Sequence, residues 1–241
     1  MSGPPYHITA RKGEVGERVI VVGDPARAEQ LSGKLRKPKL VSTNRGMPVY
    51  TGEYNGVNVS IATHGMGGPS AMIVFEELYM LGARVMVRLG STGGLLPEIE
   101  EGEIIIPTVA TYLTSYGVLA AYAPGVCLPS APSFDVLSKL VEKAREMGVK
   151  HRIGPVLSND AFYSESPDFA EFWRKKGAIS VEMECAALFA LGHLRGFKTG
   201  AALVVSNNVV RETPLLRAEQ LREYVDKAGD LVLKAITEVS P

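Results

Sequence analysis

Apolar positions along this chain recur in two periods, alternating in short runs and spaced by three or four in longer ones, so strands and helices are predicted to interleave. Arg18-Val-Ile-Val-Val reads as a buried strand. Gly23-Asp-Pro-Ala-Arg is the turn into a helix reaching about Leu35, with Asp24 as its cap and Pro25 in its first position. Pro48 to Tyr54 and Val57 to Thr63 flank Asn55-Gly56, the strongest short hairpin signal. Ser70 to Leu81 has helical spacing, with Ile73, Val74, Leu78 and Leu81 on one face. Val85, Val87 and Leu89 alternate with Met86 and Arg88, a strand that puts Arg88 near its end. Further strands are predicted over Glu103 to Ala110, Ile153 to Ser158 and Lys198 to Val205, and helices over Ser133 to Met147 and Leu215 to Val239. Thr111 to Ala131, aromatic and containing Pro and Gly, is a connection long enough to be functional.

No linker, low-complexity tract or internal repeat divides the chain, so residues 1–241 are expected to form one α/β domain. Lys and Arg number 26 against 26 Asp and Glu, which argues against a nucleic-acid or polybasic membrane surface and for a small ligand. No apolar run reaches membrane-spanning length and the N-terminus carries no signal sequence, so a cytoplasmic location is expected. Cys127 and Cys185 form no CxxC pair, and the four histidines show neither zinc spacing nor an HExxH arrangement. A metal site is therefore not expected, and a bridge between the two cysteines is left open.

Two stretches have the composition of an anion cradle. After Arg88, the cluster Gly90-Ser-Thr-Gly-Gly offers backbone N–H groups and two hydroxyls beside a fixed positive charge. The alternative is a Gly-rich turn whose arginine caps carbonyls. At Gly23 to Arg27 a strand delivers its chain to a helix N-terminus, where free N–H groups meet an arginine; taken alone, this is a plain helix start. A third anomaly is Glu182 and Glu184, which bracket Met183 where a strand hands over to a wholly apolar helix. Favourable charge on the helix N-terminus accounts for one glutamate; the other fits a carboxylate accepting hydrogen bonds from the vicinal hydroxyls of a sugar. Phe162-Tyr163, after a strand end, suits a lid over a flat ligand or a place in the core. His64 reads as a structural hydrogen-bonding residue rather than a base.

Taken together, Gly23-Asp-Pro-Ala-Arg27, Arg45-Gly-Met, His64-Gly-Met-Gly-Gly-Pro-Ser, Arg88-Leu-Gly-Ser-Thr-Gly-Gly, Phe162-Tyr163, Val181-Glu-Met-Glu184 and Val205-Ser-Asn-Asn resemble the hexameric nucleoside phosphorylase family. That family includes purine nucleoside, methylthioadenosine and uridine phosphorylases. The resemblance runs from His7 to the last helix and implies one α/β domain with a mixed central sheet flanked by helices. It further implies a homo-oligomer, a hexamer built as a trimer of dimers, with inorganic phosphate as co-substrate and no cofactor.

Roles follow residue by residue. Gly23, Arg27, Arg88 and Ser91 match the family's phosphate ligands, and Arg45 one lent by the neighbouring subunit. Met183 and Glu184 match the ribose contacts, and His7 the histidine that a partner chain lends to the 5′ end of the ribose. Phe162, Gly93 and Asn207 fall on the base side, so Arg88, Glu184 and Asn207 are the expected catalytic set. Purine members commonly carry an aspartate where this chain has Asn207, whose amide donates a hydrogen bond but no proton. Uridine members place an Asn-Arg pair there and a Gln-x-Arg set after the Phe-Tyr; here Asn208 replaces the arginine, and Glu165, Ser166, Pro167 and Asp168 lack the uracil-reading set. Purine nucleosides are therefore the expected substrates, with uridine or methylthioadenosine as alternatives. A nucleosidase has no use for three arginines around an anion, and a non-catalytic nucleoside-binding oligomer has none for Glu184.

Overall fold

The strand Arg18–Val22 (β1) is buried from Val19 onward, and its alternation sorts the side chains to two sides of a sheet. The computed structural model describes residues 4–113, 115, 117–164 and 166–241. After β1 come α1 (Pro25–Ser32), β2 (Arg36–Ser42), β3 (Val49–Tyr54), β4 (Val57–Thr63), α2 (Gly68–Leu81), β5 (Val85–Gly94) and β6 (Ile104–Tyr112). The chain continues through α3 (Gly117–Tyr122), α4 (Phe134–Glu146), β7 (His151–Ser158), α5 (Phe169–Arg174), β8 (Ser180–Glu182), α6 (Cys185–Arg195), β9 (Lys198–Asn208) and α7 (Ala218–Thr237). Val19 and Val21 pack with Phe75 of α2 and Phe189 of α6. Ile20 and Val22 pack with Leu31 of α1, Leu140 of α4 and Leu231 of α7. Helices thus cover both faces, as a sheet buried on both sides requires.

The sheet is mixed and runs β2-β3-β4-β1-β5-β8-β7-β6-β9, with β5 pairing β9 as well. β5, β8, β7, β6 and β9 therefore close on themselves, and β1, β4, β3 and β2 extend as a wing from β5. β9 accompanies β5 from Val85 to Gly94 on one edge. The other edge is shared: β1 pairs it as far as Arg88, and β8 takes it up only at Gly93. Leu89 to Thr92 lie in the fork between them. Openings of this kind, where neighbouring strands part, are where α/β sheets hold ligands.

Several expectations need correction. The cluster after Arg88 is not a turn: β5 runs through it to Gly94, and Arg88 sits mid-strand. Its glycines serve packing. A Cβ on Gly90 would lie 2.6 Å from Arg88 Cζ, because residues two apart share a face and the guanidinium folds back over Gly90. Ile73 is turned outward, 45% exposed, while Val74, Leu78 and Leu81 are buried as expected. The segment from Thr111 is not a long loop, since β6 reaches Tyr112 and α3 occupies Gly117–Tyr122; Thr114 and Tyr116 lie outside the described residues. β2 was not foreseen. Its Arg-Lys-Pro-Lys-Leu run is exposed, the composition that keeps a sheet edge from pairing with another chain. Phe162 and Tyr163 are not core: they form an exposed T-shaped pair, centroids 5.0 Å apart. The Asn55-Gly56 hairpin is as read, with φ of 50° and 79° at its two turn residues. Cys127 is exposed, Cys185 is buried, and both are free thiols.

Candidate active site

Arg88 is the centre of the site. It is 4% exposed, and each guanidinium nitrogen faces a different acceptor. Nε donates to Glu182 at 3.2 Å, Nη2 lies 2.5 Å from Glu184 Oε2, and Nη1 is 3.3 Å from His64 Nε2. Burial alone would lower its pKa, but the Glu184 and Glu182 carboxylates outweigh that and raise it, so the guanidinium stays charged.

The two glutamates take different partners. Glu182 belongs to the architecture: it accepts the Ser158 hydroxyl and the backbone N–H groups of Glu184 at 2.8 Å and Cys185 at 2.9 Å, closing the open start of α6. Glu184 looks the other way. Its Oε1 accepts from the Gly67 N–H at 2.7 Å, at the start of α2, while Oε2 meets Arg88. Burial pushes the Glu184 carboxyl above its usual range, with Glu182 adding to the effect and Arg88 opposing it.

Arg27 reaches the same place from α1. Asp24 caps that helix through the Ala26 N–H at 2.9 Å, and Pro25 follows, as read from the sequence. The first helical turn then carries Arg27 Nη1 to the Leu89 carbonyl in the fork, 3.3 Å away. Burial, followed by the charge of Arg88, pulls its pKa down to about 10. Gly23 packs beneath the β4–α2 turn, where a Cβ would come within 3.0 Å of the Gly65 carbonyl oxygen. Ser91, half-buried, lies in the fork itself. Gly23, Arg27, Arg88, Ser91 and Glu184 therefore come together from separate parts of the chain, and Met183 lies at the same β8–α6 junction.

At the end of β5, Gly93 pairs with Asn207 of β9, and a Cβ on Gly93 would lie 3.3 Å from Asn207 Oδ1. That oxygen accepts the Ser206 hydroxyl at 3.2 Å. Asn208 is turned inward and staples the loop after β5, donating to the Leu96 and Ile99 carbonyls at 2.8 Å each. Glu165 lies outside the described residues, and Ser166 donates to Asp168 at 2.6 Å.

Phe162, His7 and Arg45 form no contact with this cluster. Phe162 stands on an exposed loop anchored by Asn159, whose N–H donates to the Glu182 carbonyl, and by Asp160. Asp160 accepts from Gly68 of α2 at 3.1 Å and Gly117 of α3 at 3.3 Å. His7 and Arg45 sit near each other at the surface, since Asn44 Nδ2 donates to the His7 carbonyl at 3.0 Å. Glu77 orders this terminus. It accepts the N–H groups of Tyr6, His7 and Ile8 and lies 2.7 Å from His7 Nδ1. Sequence reasoning passed over Glu77, Asp160 and the contact of His64 with Arg88. For Glu77 the signal was available: Glu76 and Glu77 interrupt a helix that is otherwise mostly apolar, and both are buried.

Among the described residues there is no group of three metal-ligating side chains, and no helix is long and apolar enough to cross a membrane. A fork in a mixed sheet that gathers one buried and one half-buried guanidinium against a buried carboxylate suits an α/β enzyme handling an anion beside a polar group. The chain belongs to the phosphorylase superfamily, whose sequence model matches residues 17–237. Its members here are nucleoside phosphorylases, pentosyltransferases that use a nucleoside and phosphate. It is 36% identical to a uridine phosphorylase of Treponema pallidum, with 98% of this chain and 96% of the relative aligned. Against a guanosine phosphorylase of Halorubrum lacusprofundi it is 33% identical, covering 95% and 94%. The crystal structure of Toxoplasma gondii purine nucleoside phosphorylase in complex with immucillin-H superposes with a TM-score of 0.89 at 27% identity, covering 98% of this chain and 97% of that one.

Proposed function

We propose that the protein cleaves the N-glycosidic bond of purine nucleosides with phosphate, releasing the free base and ribose 1-phosphate. The observation that carries this reading is the sharing of Arg88: one guanidinium touches Glu184 at 2.5 Å and lies beside Arg27, so an anion and a sugar held by these groups are neighbours. Arg27, Arg88, Gly23 and Ser91 hold the phosphate, and Glu184 accepts the 2′ and 3′ hydroxyls, with Met183 against the ribose. Phosphate attacks C1′ as the glycosidic bond breaks, and its charge stabilises the developing oxocarbenium ion. No covalent enzyme intermediate and no cofactor is needed. A second copy of the chain supplies Arg45 to the phosphate and His7 to the 5′ end of the ribose, within a hexamer.

Base choice rests on Asn207 and Asn208. Asn207, whose oxygen is taken by Ser206, offers its Nδ2 to N7 or to a 6-oxo group, which favours inosine and guanosine over adenosine. Asn208 is committed to the Leu96 and Ile99 carbonyls, which speaks against its reading a pyrimidine. The test is to incubate the protein with inosine, guanosine, adenosine, methylthioadenosine and uridine, each with and without phosphate, and to follow free base by chromatography. Purine bases released only with phosphate are expected. Release without phosphate removes the phosphorylase reading, and faster release of uracil than of hypoxanthine overturns the purine assignment.

A further inference from the structure

His64 takes no part in the reaction as proposed, yet it occupies the middle of the cluster. Its ring is fully buried, packed edge-on to Phe75 of α2 at 5.4 Å between centroids, and its Nε2 lies 3.3 Å from Arg88 Nη1. The backbone is fixed on both sides: its N–H donates to the Val22 carbonyl at 2.8 Å, and its carbonyl accepts the Ser70 hydroxyl at 2.7 Å. A guanidinium has only donors, so a bond between these two groups requires a lone pair on Nε2 and the proton on Nδ1. Nδ1 is buried and makes no hydrogen bond, and the backbone of Gly65 adjoins the ring.

The ring is also held neutral. Burial first, then the charges of Arg88 on β5 and Arg27 on α1, keep its pKa well below the usual imidazole range. Phe75 faces it from α2 without charge, and Glu182 and Glu184 bond to Arg88 rather than to the ring. The three partners of Arg88 therefore differ in kind. Two are carboxylates, which orient the guanidinium but compete with an incoming anion for its charge. The third orients it and takes no charge from it.

Building on the phosphate-binding reading above, we infer that His64 is a positioning residue for the phosphate half of the site, a neutral imidazole that aims Arg88 Nη1 while leaving its charge to the substrate anion. The test compares His64→Phe, which keeps a ring of similar size without an acceptor, with His64→Gln, whose amide oxygen reaches the Nε2 position. His64→Phe is expected to raise the phosphate KM by ten- to a hundredfold, the range spanned by one hydrogen bond to a charged group. Phosphate binding measured by calorimetry without nucleoside should weaken in step, with nucleoside KM changed less than about threefold. His64→Gln should recover most of the loss. If the phenylalanine variant does not fold, His64→Asn, whose shorter amide reaches only the Nδ1 position, gives the same comparison with His64→Gln. Unchanged phosphate affinity in the acceptor-free variant, equal losses in both variants, or equal rises in both KM values would each overturn the inference while leaving a phosphate-dependent wild type intact. A wild type that releases base without phosphate removes the underlying reading, and this inference with it.

Discussion

Glu184→Gln separates a sugar-binding carboxylate from one that merely holds an arginine. The substitution keeps the side chain's shape and removes its charge. Glu184 contacts Arg88 at 2.5 Å and the Gly67 N–H at 2.7 Å, and both lie on the fork side. Arg88 would keep Glu182 at 3.2 Å and His64 at 3.3 Å, so its position is still defined by two of three contacts. Two hydroxyls bonded to a carboxylate contribute about 1.5–3 kcal/mol each, and a neutral amide recovers about half of that through one acceptor oxygen. A net loss of about 1.5–3 kcal/mol corresponds to a fall in kcat/KM for the nucleoside of roughly tenfold to 150-fold. Phosphate should respond in the opposite sense. Losing a competing anion from Arg88 should tighten phosphate binding severalfold, read by calorimetry in the absence of nucleoside. Turnover and phosphate affinity falling together would refute the reasoning, because that pattern means Glu184 acts only by holding Arg88.

The same variant has a pH signature. Burial raises the Glu184 pKa, so the acid limb of the kcat/KM profile should lie above the ordinary carboxylate range and disappear in the glutamine variant. For stability the sign is fixed by the direction of the shift. A carboxyl with a raised pKa in the folded state contributes stability below its unfolded pKa and loses that contribution as pH rises through the folded value. Glutamine in its place should therefore cost the fold less at pH 7 than at pH 4, as measured by denaturant unfolding at the two values.

Four further outcomes are expected. Asn207→Asp should raise adenosine phosphorolysis relative to inosine, because the new acid can protonate N7; an unchanged ratio counts against Asn207 as the base-facing donor. Gly90→Ala should displace the Arg88 guanidinium, whose Cζ would lie 2.6 Å from the new Cβ, costing about 1–3 kcal/mol of stability and raising phosphate KM; a variant with wild-type phosphate affinity means the guanidinium finds another seat. Burial alone would raise the Glu77 pKa, but the Ile8 N–H, the His7 ring and the other terminal amides outweigh it, so its contribution is present above the ordinary carboxylate range and lost as pH falls through the lowered value. Hydrogen exchange should therefore find Tyr6–Ile8 released in Glu77→Gln at pH 7, and in the wild type only in acid. Arg45→Ala should weaken phosphate binding although Arg45 is exposed and stands apart from Arg27 and Arg88 in its own chain; retained affinity removes Arg45 from the site.

The elements read well where their causes are local. Asn55-Gly56 adopts the positive φ that its residue types favour, Asp24 and Pro25 start a helix as their chemistry dictates, and β1 alternates between two cores. What sequence missed depends on partners far along the chain. β5 continues through its glycines because β9 pairs with it residue by residue to Gly94, and Gly90 answers a steric demand from Arg88 that no propensity encodes. β2 has the composition of solvent-facing chain, and only pairing with β3 makes it a strand. Among the candidate site residues, Arg88 and Glu184 stood out because a guanidinium and an acid in apolar surroundings are anomalies in any sequence, whereas Arg27, in a plain helix start, stood out only through the family resemblance. His64 did not, because a neutral histidine contacting a guanidinium looks in sequence like any other buried histidine.

The charges around Arg88 bear on the proposed oligomer as well. Arg27 and Arg88 face Glu182 and Glu184, two positive groups against two negative ones, and Asp24 and Asp160 stand close enough to act on Arg27 and Glu184 respectively. Within the described residues of one chain, the pocket proposed for phosphate therefore has no positive surplus. An anion entering it must draw Arg88 away from Glu184 or find a further cation. Glu184, once released, is free for the ribose hydroxyls, so the two substrates should assist one another by the same factor in either order. A further cation would come from beyond this cluster, and the proposed hexamer would bring Arg45, exposed beside the ordered His7, from a neighbouring copy. On this reading the site is completed across subunits for an electrostatic reason: one chain pairs all the charge it brings, and the second copy supplies the excess that holds the anion.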